Sequence, residues 1–293
     1  MNGILLLNKP AGMTSHDCVN KVRKIFKTKK VGHTGTLDPN VTGVLPICIN
    51  DATKIIQFME FHTKEYEAEI ALSYSTTTED RDGEMIEENQ SFKSLQKSQI
   101  IEVLEKFTGK IKQVPPMISA VKINGKKLYQ YARENIEVER PSREIEVYNL
   151  TLLDELDVYE GKEIVFKIRA NVSKGTYIRT LAVDIGKALG YPAHLKHLVR
   201  TRSGHFSLNH CFSFSDLESG DFRLLSLYEA LSDHYLVEAS EDILARIKNG
   251  QKLEHIFDCD EVVFVDQEQV HAIYRVDEKN QNVLKPVRVL INN

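Results

Sequence analysis

The chain has 293 residues, 42% of them hydrophobic and 27% charged, with a formal net charge of −4 at pH 7. This suits a globular protein with one large domain, or one large and one small, and no apolar run approaches the ~20 residues of a membrane helix. MNGILLLNKP at the start lacks the basic segment and cleavage site of a signal peptide, so a cytoplasmic protein is expected.

ILLL (4–7) reads as a buried strand and KPAGMTS (9–15) as a turn, with Thr14 or Ser15 placed to cap a helix. Cys18, Val19, Val22, Ile25 and Phe26 follow at helical spacing, with Lys21 and Lys24 on the opposite face. A glycine loop, GHTGTLDPNVTG (32–43), leads into the apolar strand VLPICI (44–49). KEYEAEIALSY (64–74) alternates, with Tyr66, Ala68, Ile70, Leu72 and Tyr74 on one face, and DRDGE (80–84) is a turn. Residues 95–108 read as a helix stopped by Gly109. From there to about 135, paired prolines and the lack of a clean period mark an excursion off the core, the kind of segment that often carries function. EIVFKIRANV (163–172) is a strand, and SKGTYIRTLAVDIGKALG (173–190) a turn running into an amphipathic helix that Gly190 ends. HLKHLVR (194–200) reads as helical, with His194 and His197 on one face and Leu198 in the core. An acidic connection (roughly 215–240) follows. From ILARIKNGQKL onward comes a β-rich tail with strands VVFV, VHAIYRV and VLKPVRVL.

The charges are segregated. KVRKIFKTKK (21–30) holds six basic residues, Lys21, Arg23 and Lys24 among them, and no acid. KINGKKLYQYAR (122–133) mixes Lys122, Lys126, Lys127 and Arg133 with two tyrosines, and HLKHLVRTRSGH (194–205) adds Arg202. Any one run is an ordinary solvated surface, but three together suit a basic face for nucleic acid on a mildly acidic protein. The four cysteines are scattered without a C-x-x-C pair, so zinc and disulfides have no signal. His194 and His197 lack nearby acid or thiol ligands, which favours a surface or RNA-facing role over metal.

The glycine loop is the most informative stretch. It lacks the lysine of a phosphate-binding Walker loop and the G-x-G-x-x-G dinucleotide pattern, and its Asp38 repels phosphate. An Asp-Pro turn accounts for Asp38 and Pro39 alone. Gly35, Gly43, Thr34 and Thr36 exceed what a turn requires and leave room for a bulky group. That suits a carboxylate held out for chemistry, as a nucleophile for example. An arginine partner keeps such a carboxylate ionised, and Arg179 in SKGTYIRTL is a candidate by spacing.

LLLNKPAGMTS, GHTGTLDPNVTGVLPICI, KEYEA, TTEDRDGE, PPMISAVKINGKKLYQYAR and SKGTYIRTLAVDIG together resemble the bacterial tRNA pseudouridine synthases of the B type, the TruB family, over roughly residues 3 to 205. The resemblance implies an α/β (α+β) fold with a central mixed, largely antiparallel sheet flanked by helices. The catalytic domain would be 1–235 with an RNA-clamping thumb at about 109–135, and a small PUA-like RNA-binding domain would occupy 236–293. The implied activity is isomerisation of uridine 55 in the tRNA T loop, by base flipping, without metal or other cofactor. Asp38 matches the nucleophile, Arg179 its partner and Tyr66 the tyrosine that stacks on the target base. His33, Tyr177 and Leu198 match contacts to flipped-out nucleotides. Lys9 matches the lysine supporting the catalytic loop, and Asp80 an acidic turn beside the site. Lys21, Arg23, Lys24, Lys122, Lys126, Lys127, Arg133 and Arg202 are expected to hold RNA, and nothing demands more than a monomer. The rival class is a non-catalytic tRNA-binding or tRNA-folding protein, which needs the basic faces but not Asp38. A metal-dependent hydrolase would want a second acid near the loop.

Overall fold

In the computed structural model, which describes residues 1–59 and 63–290, the chain divides into two compact units. One is Phe61–Gly204, and the other combines Met1–Glu60 with His205–Asn293.

The Phe61–Gly204 unit is built on antiparallel strands in the order Ala193–Ser203, Thr63–Leu72, Ile164–Ser173, Arg143–Leu152, Gly109–Gln113. The expected alternation holds in the second of these: Tyr66, Ala68, Ile70 and Leu72 are buried while the glutamates between them are more exposed. Tyr74 falls in a separate short strand, Tyr74–Thr76. Helix Ile178–Ala188 buries Ile178, Leu181, Ala182 and Ile185 and packs on strands Ala193–Ser203 and Thr63–Leu72. Its approach is close: a Cβ on Gly186 would stand 2.2 Å from that of Ala193.

Three expectations are corrected in this unit. HLKHLVR is the middle of strand Ala193–Ser203 and not a helix. Its pairing with Thr63–Leu72 skips a residue between Leu195 and His197 and again between Arg200 and Arg202. These two bulges break the two-residue period that would have revealed a strand. His194 accordingly faces the interior, not the surface. It is 1% exposed, stacks on Tyr74 at 4.1 Å and sets Nδ1 3.0 Å from the Tyr74 carbonyl, and burial pushes its pKa down. The excursion begins later than expected, because Gly109–Gln113 is an edge strand of the sheet.

In the other unit, strand Gly3–Lys9 pairs with Thr42–Ile49, which also pairs with the short strand Val31–His33. Ile4 and Leu7 bridge to Leu225 and Phe212. Helix Ser15–Ile25 starts at Thr14, whose hydroxyl caps the Asp17 N–H while the Asp17 carboxylate returns to the Thr14 N–H. The helix ends at Ile25, so only the first half of the basic run 21–30 is helical. The acidic connection contains short helices Phe214–Ser219 and Leu227–Ala230. The tail opens on a helix, Glu241–Lys248, capped by Ser240. The β-rich part is a five-stranded sheet in the order Leu236–Glu238, Glu261–Asp266, Gln269–Asp277, Asn280–Val289, Leu253–Glu254. Its core includes Ile247, Phe264 and Tyr274.

One side chain ties this tail sheet to the first 59 residues. His234 holds Nε2 3.0 Å from the Phe58 carbonyl and Nδ1 3.3 Å from Glu261 of the tail sheet, itself 2.7 Å from Arg275. Both ring nitrogens face acceptors, and only the imidazolium can donate to both. The Glu261 carboxylate, the Phe58 carbonyl and the nearby Asp233 raise the His234 pKa against the opposing effect of burial. A raised folded-state pKa gives stability that is complete below the unfolded value, about 6.5, and is lost as pH rises through the folded value. The gap in melting temperature between the wild type and His234→Gln should therefore be widest near pH 6 and shrink toward about pH 9. A gap independent of pH would show that the imidazole is not charged in the fold.

Candidate active site

The Asp38 loop is fixed from beneath. Lys9, at the end of the first strand, has no exposed surface. Its ammonium donates to the carbonyls of Pro10 at 2.9 Å and Pro39 at 2.8 Å. The Pro39 carbonyl also accepts the Gly12 N–H at 3.0 Å. On the other side of Asp38, the Leu37 side chain is buried and its backbone is gripped twice by Ser15. The Ser15 hydroxyl accepts the Leu37 N–H at 2.9 Å and donates to the Leu37 carbonyl at 3.2 Å. Val41 N–H closes a tight turn onto the Asp38 carbonyl at 3.1 Å. Gly35 and Gly43 flank the loop at φ +84° and +106°, where a side chain would be strained. Asp38 itself is exposed, a carboxylate on a backbone with both neighbours tethered, and His33 is half-buried just before it.

Arg179, Asp80, Tyr177, Tyr66 and Leu198 belong to the Phe61–Gly204 unit. Arg179 is the second residue of helix Ile178–Ala188 and 5% exposed. A cation in the first helical turn opposes the helix dipole, so it needs other acceptors. Nη1 donates to the Thr78 carbonyl at 2.8 Å, Nη2 to the Ile118 carbonyl at 2.9 Å, and Asp80 lies 3.9 Å from Nε. The structure thus brings Arg179 to the acidic turn and to the start of the excursion. Beside it, Thr180 donates to Glu79 at 2.6 Å. Burial pushes the Glu79 carboxyl up, against the Thr180 hydrogen bond and the Arg179 charge. Tyr177 is held by its backbone: its N–H donates to Gln113 Oε1 at 2.8 Å and its carbonyl accepts from Gln113 Nε2 at 3.0 Å. Tyr66 and Leu198 line one face of adjacent strands, in the register Tyr66–Arg200 and Ala68–Leu198, and each is 8% exposed.

The basic residues differ in availability. Lys21 is 2.9 Å from Glu218 and 4.3 Å from the centre of the Phe214 ring, and Arg23 donates to Asn20 and the Val31 carbonyl. Lys24, Lys122, Arg133 and Arg202 are exposed. In the excursion, strands Lys122–Ile123 and Lys126–Lys127 form a hairpin whose turn, Asn124-Gly125, has both residues at positive φ as a two-residue hairpin demands. Helix Leu128–Arg133 follows. Lys127 and Arg133 flank the Tyr129 ring at 5.6 and 5.4 Å, while Lys126 sits 4.8 Å from the Tyr131 ring and bonds Glu134. Among the described residues no group of three His, Cys, Asp or Glu is placed to hold a metal. Among the described residues no helix is long and apolar enough to cross a membrane.

Sequence reasoning missed three residues that shape these sites. Ser15 reads only as a possible helix cap, and Gln113 and Thr180 carry no signal at all, because a side chain gripping a residue far along the chain leaves no local pattern.

Known proteins share this architecture. The family model described as TruB family pseudouridylate synthase (N terminal domain) matches residues 23–178, and that for the tRNA pseudouridylate synthase B C-terminal domain matches 179–236. The chain is 49% identical over 302 residues to a "tRNA pseudouridine synthase B" of Bacillus cereus (strain ATCC 10987 / NRS 248), covering 100% of this chain and 98% of that protein. It is 48% identical over 303 residues to the protein of that name in Bacillus pumilus (strain SAFR-032), covering 99% and 98%. Among solved structures, a chain of "Crystal Structure of a Cbf5-Nop10-Gar1 Complex" matches with TM-score 0.72 and 26% identity over 99% of this chain and 85% of that one. A chain of the H/ACA RNP bound to a substrate RNA containing 2'-deoxyuridine has the same fold, with TM-score 0.72, 23% identity and coverage of 99% and 85%.

The Lys9 anchor generates a direct test. Lys9→Met keeps most of the apolar stem but removes the donor from the Pro10 and Pro39 carbonyls. Because Gly12 still serves Pro39, the loss should be near that of one unsatisfied buried acceptor, about 1–3 kcal/mol, read by denaturant unfolding. A variant as stable as the wild type would show that the ammonium does not hold the loop.

Proposed function

Since the chain belongs to the TruB family of pseudouridylate synthases, we propose that it isomerises uridine 55 in the T loop of tRNA to pseudouridine, with Asp38 as the nucleophile. The observation that carries this reading is the exposed Asp38 carboxylate on a loop tethered by Lys9 and Ser15. Catalysis favours a reacting group whose geometry is set before substrate arrives.

A T-loop uridine is stacked and must be extruded before chemistry, with replacement stacking offered in exchange. In the proposed sequence Tyr66 stacks on the extruded base, while His33, Tyr177 and Leu198 contact the flipped nucleotides. Asp38 then attacks the sugar or the base, or removes the 2′ proton. The N1–C1′ bond breaks, uracil turns over, and C5 bonds to C1′. The C5 hydrogen leaves, with Tyr66 as its acceptor, and N1 ends protonated, so the reaction is an isomerisation that consumes nothing. Arg179 supplies the positive charge of the proposed chemistry. Lys9 and Asp80 act as positioning residues. The exposed Lys24, Lys122, Arg133 and Arg202, with Lys126 and Lys127 of the thumb, bind phosphate and set register. Lys21 and Arg23 join them by exchanging their internal partners for RNA. The tail, 236–293, serves as a PUA-like RNA-binding domain, and the enzyme works as a cytoplasmic monomer.

The decisive assay uses a tRNA transcript tritiated at uridine C5, without added metal or cofactor. Forming the C5–C1′ bond expels that hydrogen, so one equivalent of tritium should be released. Asp38→Asn should lower the rate at least about a thousandfold while tRNA still binds. Arg179→Lys, which cannot reproduce a forked contact to two carbonyls, should lose turnover far more than affinity. Tight tRNA binding with no release by the wild type would instead make the chain a non-catalytic tRNA-folding protein.

A further inference from the structure

Strand Gly3–Lys9 has one edge against Thr42–Ile49. The backbone groups of Ile4, Leu6 and Asn8 face the other edge, which residues from beyond 205 cover in two places. Ile4 exchanges both its bonds with Leu225, at 2.9 and 2.8 Å. The Leu6 carbonyl takes the Phe212 N–H at 2.8 Å, and the Asn8 N–H goes to the Phe212 carbonyl at 2.9 Å. The Leu6 N–H is left over: among the described residues no backbone carbonyl accepts it, although Leu6 is only 4% exposed. Leu6 lines a cavity of about 460 Å³ between the two covered stretches, where an acceptor on a bound molecule would meet this N–H.

The cavity's chemistry narrows what fits. Its volume lies within the ~300–1,000 Å³ range of small-molecule sites, so it exceeds what a single ion needs. Leu6, Phe206, Phe212 and Leu225 give it apolar and aromatic walls, while Asn209 and His210 add a polar edge. The charges that line it are balanced: Arg223 pairs with Glu229 at 3.0 Å. A free anion would meet the Glu229 carboxylate, and a cation would meet the Arg223 guanidinium. The matching ligand is neutral, flat, apolar on its faces and rich in hydrogen-bonding groups around its rim. Nucleobases have this chemistry, and proteins hold them by aromatic contact with the faces and hydrogen bonds to the edges.

We propose that this cavity binds a purine or pyrimidine base, a ring carbonyl or ring nitrogen accepting the Leu6 N–H and the remaining edge read by Asn209 and His210. None of its lining residues belongs to the Asp38 loop or has a place in the proposed catalysis. The inference rests on the cavity alone and stands or falls separately from the family reaction. The base comes either from the bound RNA or from a free nucleoside.

The test is NMR on the full chain labelled with 15N-leucine, the Leu6 amide resonance being identified by its absence from Leu6→Ile. Uridine, cytidine, adenosine, guanosine and a tRNA transcript are titrated separately. At least one should move the Leu6 resonance downfield as the N–H gains an acceptor. Asn209→Ala should weaken that ligand about tenfold, the size of one lost hydrogen bond, and Cys211→Trp, which fills the half-buried lining, should abolish the shift. A response to tRNA alone assigns the base to RNA, and a response to nucleosides alone assigns it to the free pool. A Leu6 amide unmoved by all five, moved equally by inorganic phosphate, or insensitive to both variants overturns the proposal. Tritium release from tRNA, measured alongside, reports the family reaction independently.

Discussion

The loop that carries Asp38 depends on a charge taken out of water. An ammonium with no exposed surface is tolerated only if acceptors surround it, and Lys9 finds two of them in the Pro10 and Pro39 carbonyls. The dependence is reciprocal. Moving the loop away would strip acceptors from a buried cation, and losing the cation would strip a donor from the loop. A glycine-rich segment, entropically the hardest kind to hold still, is thereby fixed on one side of Asp38 by a charge. On the other side the Ser15 hydroxyl does the same work.

Arg179 solves a similar problem in the other unit. It too is buried, and it too leans on carbonyls, of Thr78 and Ile118, with its carboxylate neighbour at the long distance of 3.9 Å. Carbonyl partners satisfy the donors of a cation without cancelling its charge. Both residues therefore organise backbone as neutral hydrogen-bonding groups would. The arrangement also draws the acidic turn and the excursion onto one helix terminus, so three segments distant in sequence share one anchor.

The regular part of the fold was legible where one face of an element is buried and the period is unbroken. Thr63–Leu72, Ile164–Ser173 and Ile178–Ala188 are such cases. Ala193–Ser203 was not legible, because its two bulges shift the apolar positions. Gly109–Gln113 was hidden because a short edge strand carrying Lys110 and Lys112 has little apolar alternation to show. For the candidate site, Asp38 stood out because its loop has more glycine and threonine than a turn requires. Arg179 was only a spacing candidate, and His33, Leu198 and Lys9 came from resemblance alone. The clamps made by Ser15 and Gln113 are relations between residues far apart in the chain, which composition and period do not encode.

The open edge of strand Gly3–Lys9 is closed by Phe212 and Leu225. The ribosome delivers those residues only after the whole Phe61–Gly204 unit has emerged. During synthesis the very first strand must wait, with an apolar sequence and unpaired backbone groups, while the intervening unit is free to fold first. Such long-range closure is slow and exposed to wrong pairings. The nascent chain is thus vulnerable at a segment made long before the residues that cover it, and a chain cut short before residue 212 would leave that edge uncovered.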